Sequence, residues 1–402
     1  MLDRTKSVIL TATMAILTAT LFSTSASAAT FKVLYSFQGG NADGQHPGGG
    51  GLIMDRNGNL YGTTGEFDTS GTVFELSPTS SGEWTEKVLH SFAGGTDGAM
   101  PTSLVLDASG NLYGTTYSGD GSGIVFELTP ATGGKWQETV VHRFGGADGG
   151  GGSGLTIDRA GNLYGTTLSG GPNYNGTVFE LVPAASGEWE ETILYSFEGG
   201  GDGAEPRGGP ILDAVGNLYG ITEGYSGTVY QLMPKRGGAW EHMVLHQFSN
   251  GNDGSSPYGG LAFDGSGNLY GTTANGGSED FGTVYELMPQ EGGGNWTEDI
   301  LHSFHTESKG GVFADGTPVF DEKGNFYATT DEGGVGGGGE VFEFTHTQGG
   351  GWPHMVLHDF GSVGAFGAGP VPNLVLDTAG NIYGMTGMGG THGLGTVFEI
   401  IP

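Results

Sequence analysis

Short hydrophobic runs separated by Gly, Asp, Asn and Pro recur along almost the whole chain. In the second of these units the runs are 87–92, 104–107, 111–116 and 124–128, and all are rich in apolar, aromatic and β-branched residues. Runs of this length and composition, bounded by turn residues, are typical of β-strands. No segment has the period of an amphipathic helix, so the pattern predicts an all-β protein.

One segment, Asn59-Leu-Tyr-Gly-Thr-Thr, returns six times with minor variation at spacings of 51 to 57 residues. The later copies begin at Asn111, Asn162, Asn217, Asn268, Asn325 and Asn381. Asp-x-x-Gly-Asn leads into every copy, which predicts a tight hairpin turn with glycine in the left-handed region. Four strands repeated seven times predict a seven-bladed β-propeller of four-stranded antiparallel blades.

The two ends of the repeat array complement each other. Residues 31–37 match the run that follows a Trp in the other units, and residues 396–400 match the third strand of a unit. We therefore expect the N-terminal strand to complete the last blade as its outermost strand. Such a strand closes the ring and protects the sheet edges.

The first 28 residues predict a secretory signal peptide. Arg4 and Lys6 precede an uncharged apolar run over 7–22, and a small, polar stretch ends at Ala28. This order predicts cleavage after Ala28, leaving one propeller domain over 29–402. We expect a secreted or periplasmic protein with no membrane span in the mature chain.

Composition and charge narrow the possible partners. The 402-residue chain has a formal net charge of −31 and no cysteine, which excludes disulfides and thiolate metal sites. So negative a protein is not expected to bind nucleic acid or anionic lipid, whereas cations, cationic proteins and neutral glycans are compatible. We expect a monomer.

The repeat resembles the GloVer repeat of the choice-of-anchor tandem-repeat proteins over residues 31–402. The matching residues are 58–64, Gly-Asn-Leu-Tyr-Gly-Thr-Thr, and 71–76, Gly-Thr-Val-Phe-Glu-Leu, with their six later copies. The resemblance implies an exported bacterial propeller, often attached to the surface by a separate C-terminal sorting segment, and it supplies no catalytic residues. Because the sequence stops at Pro402, directly after the last predicted strand, we expect free secretion or a periplasmic location.

Residues copied in nearly every unit are interpreted as scaffold, and residues that differ between units as candidate ligand contacts. The predicted loops between second and third strands contain an aromatic residue at varying offsets, or His392 in the last unit; the aromatic residues are Phe67, Tyr117, Tyr174, Tyr225 and Phe281. His46 and Arg207 also depart from the pattern. Exposed aromatic rings beside polar groups suit sugars, although such rings also cover gaps between blades.

A second candidate set consists of aspartates that precede a glycine before the inner strand. They are Asp43, Asp97, Asp148, Asp202, Asp253 and Asp315. A ring of six carboxylates at the channel mouth would bind Ca²⁺ or a cationic ligand. The alternative is that Asp-Gly only forms a turn. No cofactor is expected to be required.

The sequence contains no Gly-x-Ser-x-Gly elbow and no His-Glu-x-x-His, so no catalytic residue is predicted. The function predicted is an exported binding module for glycans or surface partners. Two alternatives stay open. One is a polysaccharide lyase or hydrolase whose site combines loop carboxylates, Tyr and His. The other is a structural display protein with no small ligand.

Overall fold

The computed structural model describes residues 29–65, 70–290, 296–305, 310–347, 351–361, 364 and 366–402. The predicted signal peptide and Phe67 lie outside the described residues. Within the described part of the chain, no helix is both long and apolar enough to cross a membrane.

The described residues contain thirty β-strands and three short 3-10 turns. The strands are β1 (Thr30–Ser36), β2 (Ile53–Met54), β3 (Leu60–Thr64), β4 (Thr72–Pro78), β5 (Trp84–Ser91), β6 (Ala99–Leu106), β7 (Leu112–Ser118), β8 (Ile124–Pro130), β9 (Trp136–Arg143), β10 (Gly150–Ile157), β11 (Leu163–Ser169), β12 (Thr177–Pro183), β13 (Trp189–Ser196), β14 (Pro206–Leu212), β15 (Leu218–Thr222), β16 (Thr228–Pro234), β17 (Trp240–Gln247), β18 (Ala262–Phe263), β19 (Leu269–Thr273), β20 (Thr283–Met288), β21 (Thr297–Ser303), β22 (Gly311–Ala314), β23 (Val319–Phe320), β24 (Phe326–Gly333), β25 (Gly337–Phe344), β26 (His354–Gly361), β27 (Ala368–Pro370), β28 (Val375–Leu376), β29 (Ile382–Met388) and β30 (Thr396–Ile401). The 3-10 turns are Gly95–Asp97, Thr132–Gly134 and Gly200–Asp202.

These strands form seven antiparallel sheets, the blades of a propeller, numbered here from the N-terminus. Blades one to five are β2–β5, β6–β9, β10–β13, β14–β17 and β18–β21. Blade six is β22–β26 and blade seven is β27–β30, each with its innermost strand split in two. In blade seven β1 pairs with β30 as the outermost strand, with Thr30 opposite Ile401. The predicted seven-bladed fold and its closure by the N-terminal strand are both confirmed.

The repeated Asp-x-x-Gly-Asn motif forms the turn between the first two strands of a blade. In blade one, Asp55 Oδ1 accepts hydrogen bonds from the backbone N–H of Asn57 at 2.8 Å and of Asn59 at 2.9 Å. Gly58 has φ +81°, a conformation that costs glycine little. Beyond the turn, Tyr61 donates to Glu75 on the neighbouring strand at 3.3 Å. These contacts explain why the motif is copied in each unit.

The hydrophobic core lies between blades rather than within one. Each of seven buried clusters combines side chains from two neighbouring blades; Phe74 of blade one, for example, shares a cluster with Tyr383 and Val397 of blade seven. Trp84 meets Tyr383 edge-on at 6.1 Å between ring centroids. The same contact recurs at other blade junctions, as between Tyr61 and Trp136, so the tryptophans pack between blades. Burying a Phe-sized side chain stabilises the fold by about 1.5–3 kcal/mol.

Candidate functional site

The innermost strands surround a central channel with a cavity of about 910 Å³. All seven blades contribute to its wall, largely through glycines and small or apolar side chains. Asp315 and Asp331 also line it. A cavity of this size at the centre of a fold is a favoured position for a ligand.

A second cavity of about 510 Å³ opens between the loops of blades two, three and four. Its wall includes Tyr117, Tyr174, Glu205 and Arg207, together with serines and glycines. We call it the blade-three groove. Tyr117 and Arg207 line both this groove and the channel, so the two cavities share a boundary.

The groove exists because blade three lacks side chains where its neighbours have them. Residues 149–152 are four consecutive glycines, whereas blades two and four place Met100 and Glu205 at the position of Gly151. The Tyr117 ring lies over this strand, 3.4 Å from the point where a Cβ on Gly151 would be. Gly149, Gly150 and Gly151 therefore line the groove with bare backbone, and the Tyr117 ring lies over Gly151.

Arg207 is held in place at the boundary between groove and channel. Its Nε and Nη2 atoms each lie 2.6 Å from Oε2 of Glu223. The guanidinium also lies 4.6 Å from the centroid of the Tyr258 ring. Paired with a carboxylate and stacked on an aromatic face, the arginine is oriented and largely neutralised.

The groove tyrosines project into solvent. Tyr174 is 80% exposed and Tyr117 is 49% exposed. Tyr174 has φ +61° and Glu205 has φ +55°, left-handed conformations that are strained for these residue types. Strain of this kind is frequent at binding sites.

Glu205 belongs to a ring of equivalent positions that the sequence interpretation missed. One residue per blade has φ between +50° and +65° on the way into the inner strand; these residues are His46, Met100, Gly151, Glu205, Ser256, Phe313 and Gly369. In the first six blades its N–H donates to a carbonyl of the preceding blade, as Glu205 does to Asn175 at 2.8 Å. The side chain differs from blade to blade. The sequence feature that could have identified these positions is the recurring Gly-x-x-Pro segment, in which the residue before the proline belongs to the ring.

The structure brings only part of the predicted aromatic set together. Tyr225 is 71% exposed but lies outside both cavities. Phe281 packs against the core and meets Phe313 edge-on at 6.2 Å. His392 is exposed, with Nδ1 3.0 Å from the Thr391 hydroxyl. His46 has Nδ1 3.1 Å from the Gly387 carbonyl oxygen.

Five of the six predicted ring aspartates occupy equivalent loops after the outermost strands. Asp202 is typical, because it accepts from the Glu198 N–H at 2.7 Å and from the Tyr195 hydroxyl at 2.6 Å. Burial and this hydrogen bond raise the pKa of Tyr195, so its phenol stays protonated. The carboxylates thus fix the turn and contact the outer strand instead of lining the channel.

Asp315 does not share that position. In blades one to five the glycine after the aspartate packs on a buried threonine, as Gly203 does on Thr222. In blade six Gly311 makes this contact, on Thr330, and the residue before it is Gly310. Asp315 lies four residues further on, at the channel wall. The six aspartates therefore do not form one ring at the channel mouth.

The fold and the groove define a class, the seven-bladed β-propellers with a cavity on the loop face. The chain belongs to the Gloeobacter/Verrucomicrobia repeat family, whose sequence profile matches residues 12–226 and 223–402. This match confirms the resemblance drawn from the repeat motif. No curated protein matches the chain in sequence.

Solved structures share the architecture at low identity. A protein assigned as a 6-phosphogluconolactonase from Bacteroides uniformis superposes with a TM-score of 0.53 and 16% identity, over 76% of this chain and 83% of that one. The extracellular domain of a protein assigned as a one-component system from B. thetaiotaomicron gives 0.50 and 12%, over 90% of this chain. The present chain spans 40% of that structure. Both likenesses concern the fold alone.

Proposed function

We propose that the protein is an exported binding module that holds a glycan in the blade-three groove. The observation that carries the proposal is that two exposed tyrosines, Tyr117 and Tyr174, line one groove with Glu205 and Arg207. The C–H faces of a sugar stack on aromatic rings, while its hydroxyls bond to neighbouring polar groups. Export rests on the predicted signal peptide.

The shape of the groove supports a ring-shaped ligand. Its volume of about 510 Å³ lies within the usual range for ligand pockets, about 300–1,000 Å³. Gly149, Gly150 and Gly151 line the groove with backbone only, beside Tyr117. A structural display role would favour packed loop aromatics, and the exposure of Tyr117 and Tyr174 speaks against it.

The charges favour a neutral glycan over an acidic one. The chain has a formal net charge of −31, and Arg207 is already paired with Glu223. A sulfated or uronic acid polymer would meet an unfavourable potential near the groove. Neutral hexose or pentose polymers are therefore the ligand class proposed.

The direct test is a glycan array probed with labelled residues 29–402, in calcium and again in chelator. We expect neutral glycans to bind in both conditions. Tyr117→Ala and Tyr174→Ala should each weaken binding about fivefold, since stacking on an aromatic ring contributes about 1 kcal/mol. Tyr225→Ala is the matched control, an exposed loop tyrosine outside the groove, and should bind like the parent protein.

The array separates the alternatives. If glycan binding is lost in chelator, the loop aspartates and calcium explain it better than the groove does. Binding that depends on Tyr225 as much as on Tyr117 would contradict the groove assignment. No binding to any glycan would leave a protein partner as the better explanation.

A hydrolase or lyase is the second candidate, favoured by the two carboxylates on the channel wall, Asp315 and Asp331. Two carboxylates that line one cavity can serve as general acid and base on a polysaccharide when both reach the scissile bond. Incubation with a panel of polysaccharides and detection of new reducing ends or unsaturated products tests it. If the parent protein releases product and the Asp331→Asn variant does not, catalysis is favoured over binding alone.

A further inference from the structure

Two clusters of metal-ligand side chains lie between the outer strands of neighbouring blades, separate from the blade-three groove. Each combines a histidine of one blade, the aspartate of the following loop and a glutamate of the next blade. The first is His142, Asp148 and Glu191, and the second is His246, Asp253 and Glu298. We call them the outer triads. They join blade two to blade three and blade four to blade five.

The donor atoms in each triad converge. His142 Nε2 lies 3.0 Å from Oδ2 of Asp148 and 3.3 Å from Oε1 of Glu191. In the second triad the corresponding distances from His246 are 3.8 and 3.4 Å. All three donor atoms of a triad lie within 4.8 Å of one another. In a tetrahedral zinc site with ligands at about 2.0–2.2 Å, donor atoms are about 3.3 Å apart.

The backbone fixes the position of each histidine. Val125 pairs with His142 and Phe126 with Val140, so Val141 is an extra residue in the outermost strand. The same register shift occurs in blade four, where Leu245 is the extra residue directly before His246. A β-bulge changes the direction of the side chain that follows it, and this bulge recurs in the outermost strand of every blade.

A bound cation would stabilise the buried carboxylates of the triads. Two carboxylates share one imidazole in each, and Oε1 of Glu191 and of Glu298 is buried without a hydrogen bond from the described residues. The glutamates are only 16% and 13% exposed at the side chain. A bound dication would offset both the repulsion and the loss of hydration.

We propose that each outer triad binds one divalent transition-metal ion, with zinc the best match. Imidazole nitrogen and carboxylate oxygen are both ligand types that zinc takes, and a water can fill the fourth position of such a three-residue site. Calcium fits poorly because it takes six to eight oxygen ligands. A metal held in this way would cross-link the outer edges of two adjacent blades.

An equivalent contact between blades seven and one supplies a natural control. There Tyr35 replaces the histidine, beside Asp43 and Glu86. The tyrosine hydroxyl donates to Asp43, and a protonated phenol is a poor zinc ligand. Glu86→Gln therefore alters the same kind of buried glutamate where no metal is expected.

The test uses tag-free residues 29–402, stripped with chelator and titrated calorimetrically with ZnCl₂ at pH 7. We expect two zinc equivalents, and a thermal midpoint that rises with zinc because the metal binds only the folded state. Glu191→Gln and Glu298→Gln should each remove one equivalent, and the double variant both. Glu86→Gln should keep both equivalents.

The outcomes are decisive in either direction. Unchanged zinc stoichiometry in Glu191→Gln and Glu298→Gln, with both variants folded by circular dichroism, would overturn the proposal. So would an equal loss in Glu86→Gln, because a general effect on the blades would then explain the result. Calcium competing at concentrations similar to zinc would also contradict the assigned ligand set.

Discussion

At the scale of single residues, Glu86 links the stability of blade one to pH. Burial, and then the charge of Asp43, raises the pKa of Glu86 from an ordinary 4.5 to about 8. Because the folded pKa exceeds the unfolded one, this contribution to stability is fully present below about pH 4.5 and is lost as the pH rises through 8. The folded protein therefore holds a proton that the unfolded chain releases.

Glu86→Gln should remove that dependence. Between pH 5 and 9 the free energy of unfolding should fall less in the variant than in the parent, by on the order of 1 kcal/mol after solvent screening. Urea unfolding at pH 5, 7 and 9 in the presence of chelator measures the difference. Glu83→Gln, at an exposed glutamate in the preceding turn, is the control. Parallel pH profiles for Glu86→Gln and the parent would contradict the argument.

At the scale of elements, the inner strands of blades three and four approach backbone to backbone. A Cβ on Gly154 of β10 would lie 2.1 Å from the nitrogen of Gly209 and 2.3 Å from the carbonyl carbon of Gly208. Neither atom can move without shifting β14. Gly154→Ala should therefore destabilise the protein by about 3 kcal/mol, an overpacking cost. Gly265→Ala, which meets nothing within 4 Å, should change stability by less than about 0.5 kcal/mol. Equal urea midpoints for the two variants would show that the strands can separate freely.

The blades could be predicted from sequence because the repeat copies the contacts that form them. The Asp55–Asn59 turn and the Tyr61–Glu75 hydrogen bond are local pairs with counterparts along the chain. The groove could not be predicted in the same way. It depends on the missing side chain at Gly151, where blades two and four have Met100 and Glu205, and its walls come from three blades.

The outer triads escaped sequence interpretation for a related reason. His142 and Glu191 each occupy a repeated position, and repetition alone indicates scaffold. A metal site requires that a histidine, an aspartate and a glutamate meet across the interface between two blades. Between blades seven and one the histidine is replaced by Tyr35, and the repeat pattern alone does not show this difference. Asp315 was grouped with the loop aspartates because Asp-Gly recurs. In blade six, however, Gly311 is the residue equivalent to the glycine after the aspartate in blades one to five.

At the scale of the whole molecule, closure by β1 predicts that the ring can be opened at another blade. Thr30 lies opposite Ile401, so residues 29 and 402 can be joined by a short glycine-rich turn. New ends in the exposed turn at 79–83 would make β5 the first strand and β4 the last, repeating the natural closure in blade one. We expect this permutant to unfold cooperatively with a Tm within about 5 °C of the parent.

Deleting 29–37 instead would leave the edge of β30 unpaired and remove buried Phe37, so calorimetry should show a broad transition or aggregation. A permutant that fails to fold beside a stable deletion would contradict closure by this strand, because the ring would then depend on contacts other than the β1–β30 pair.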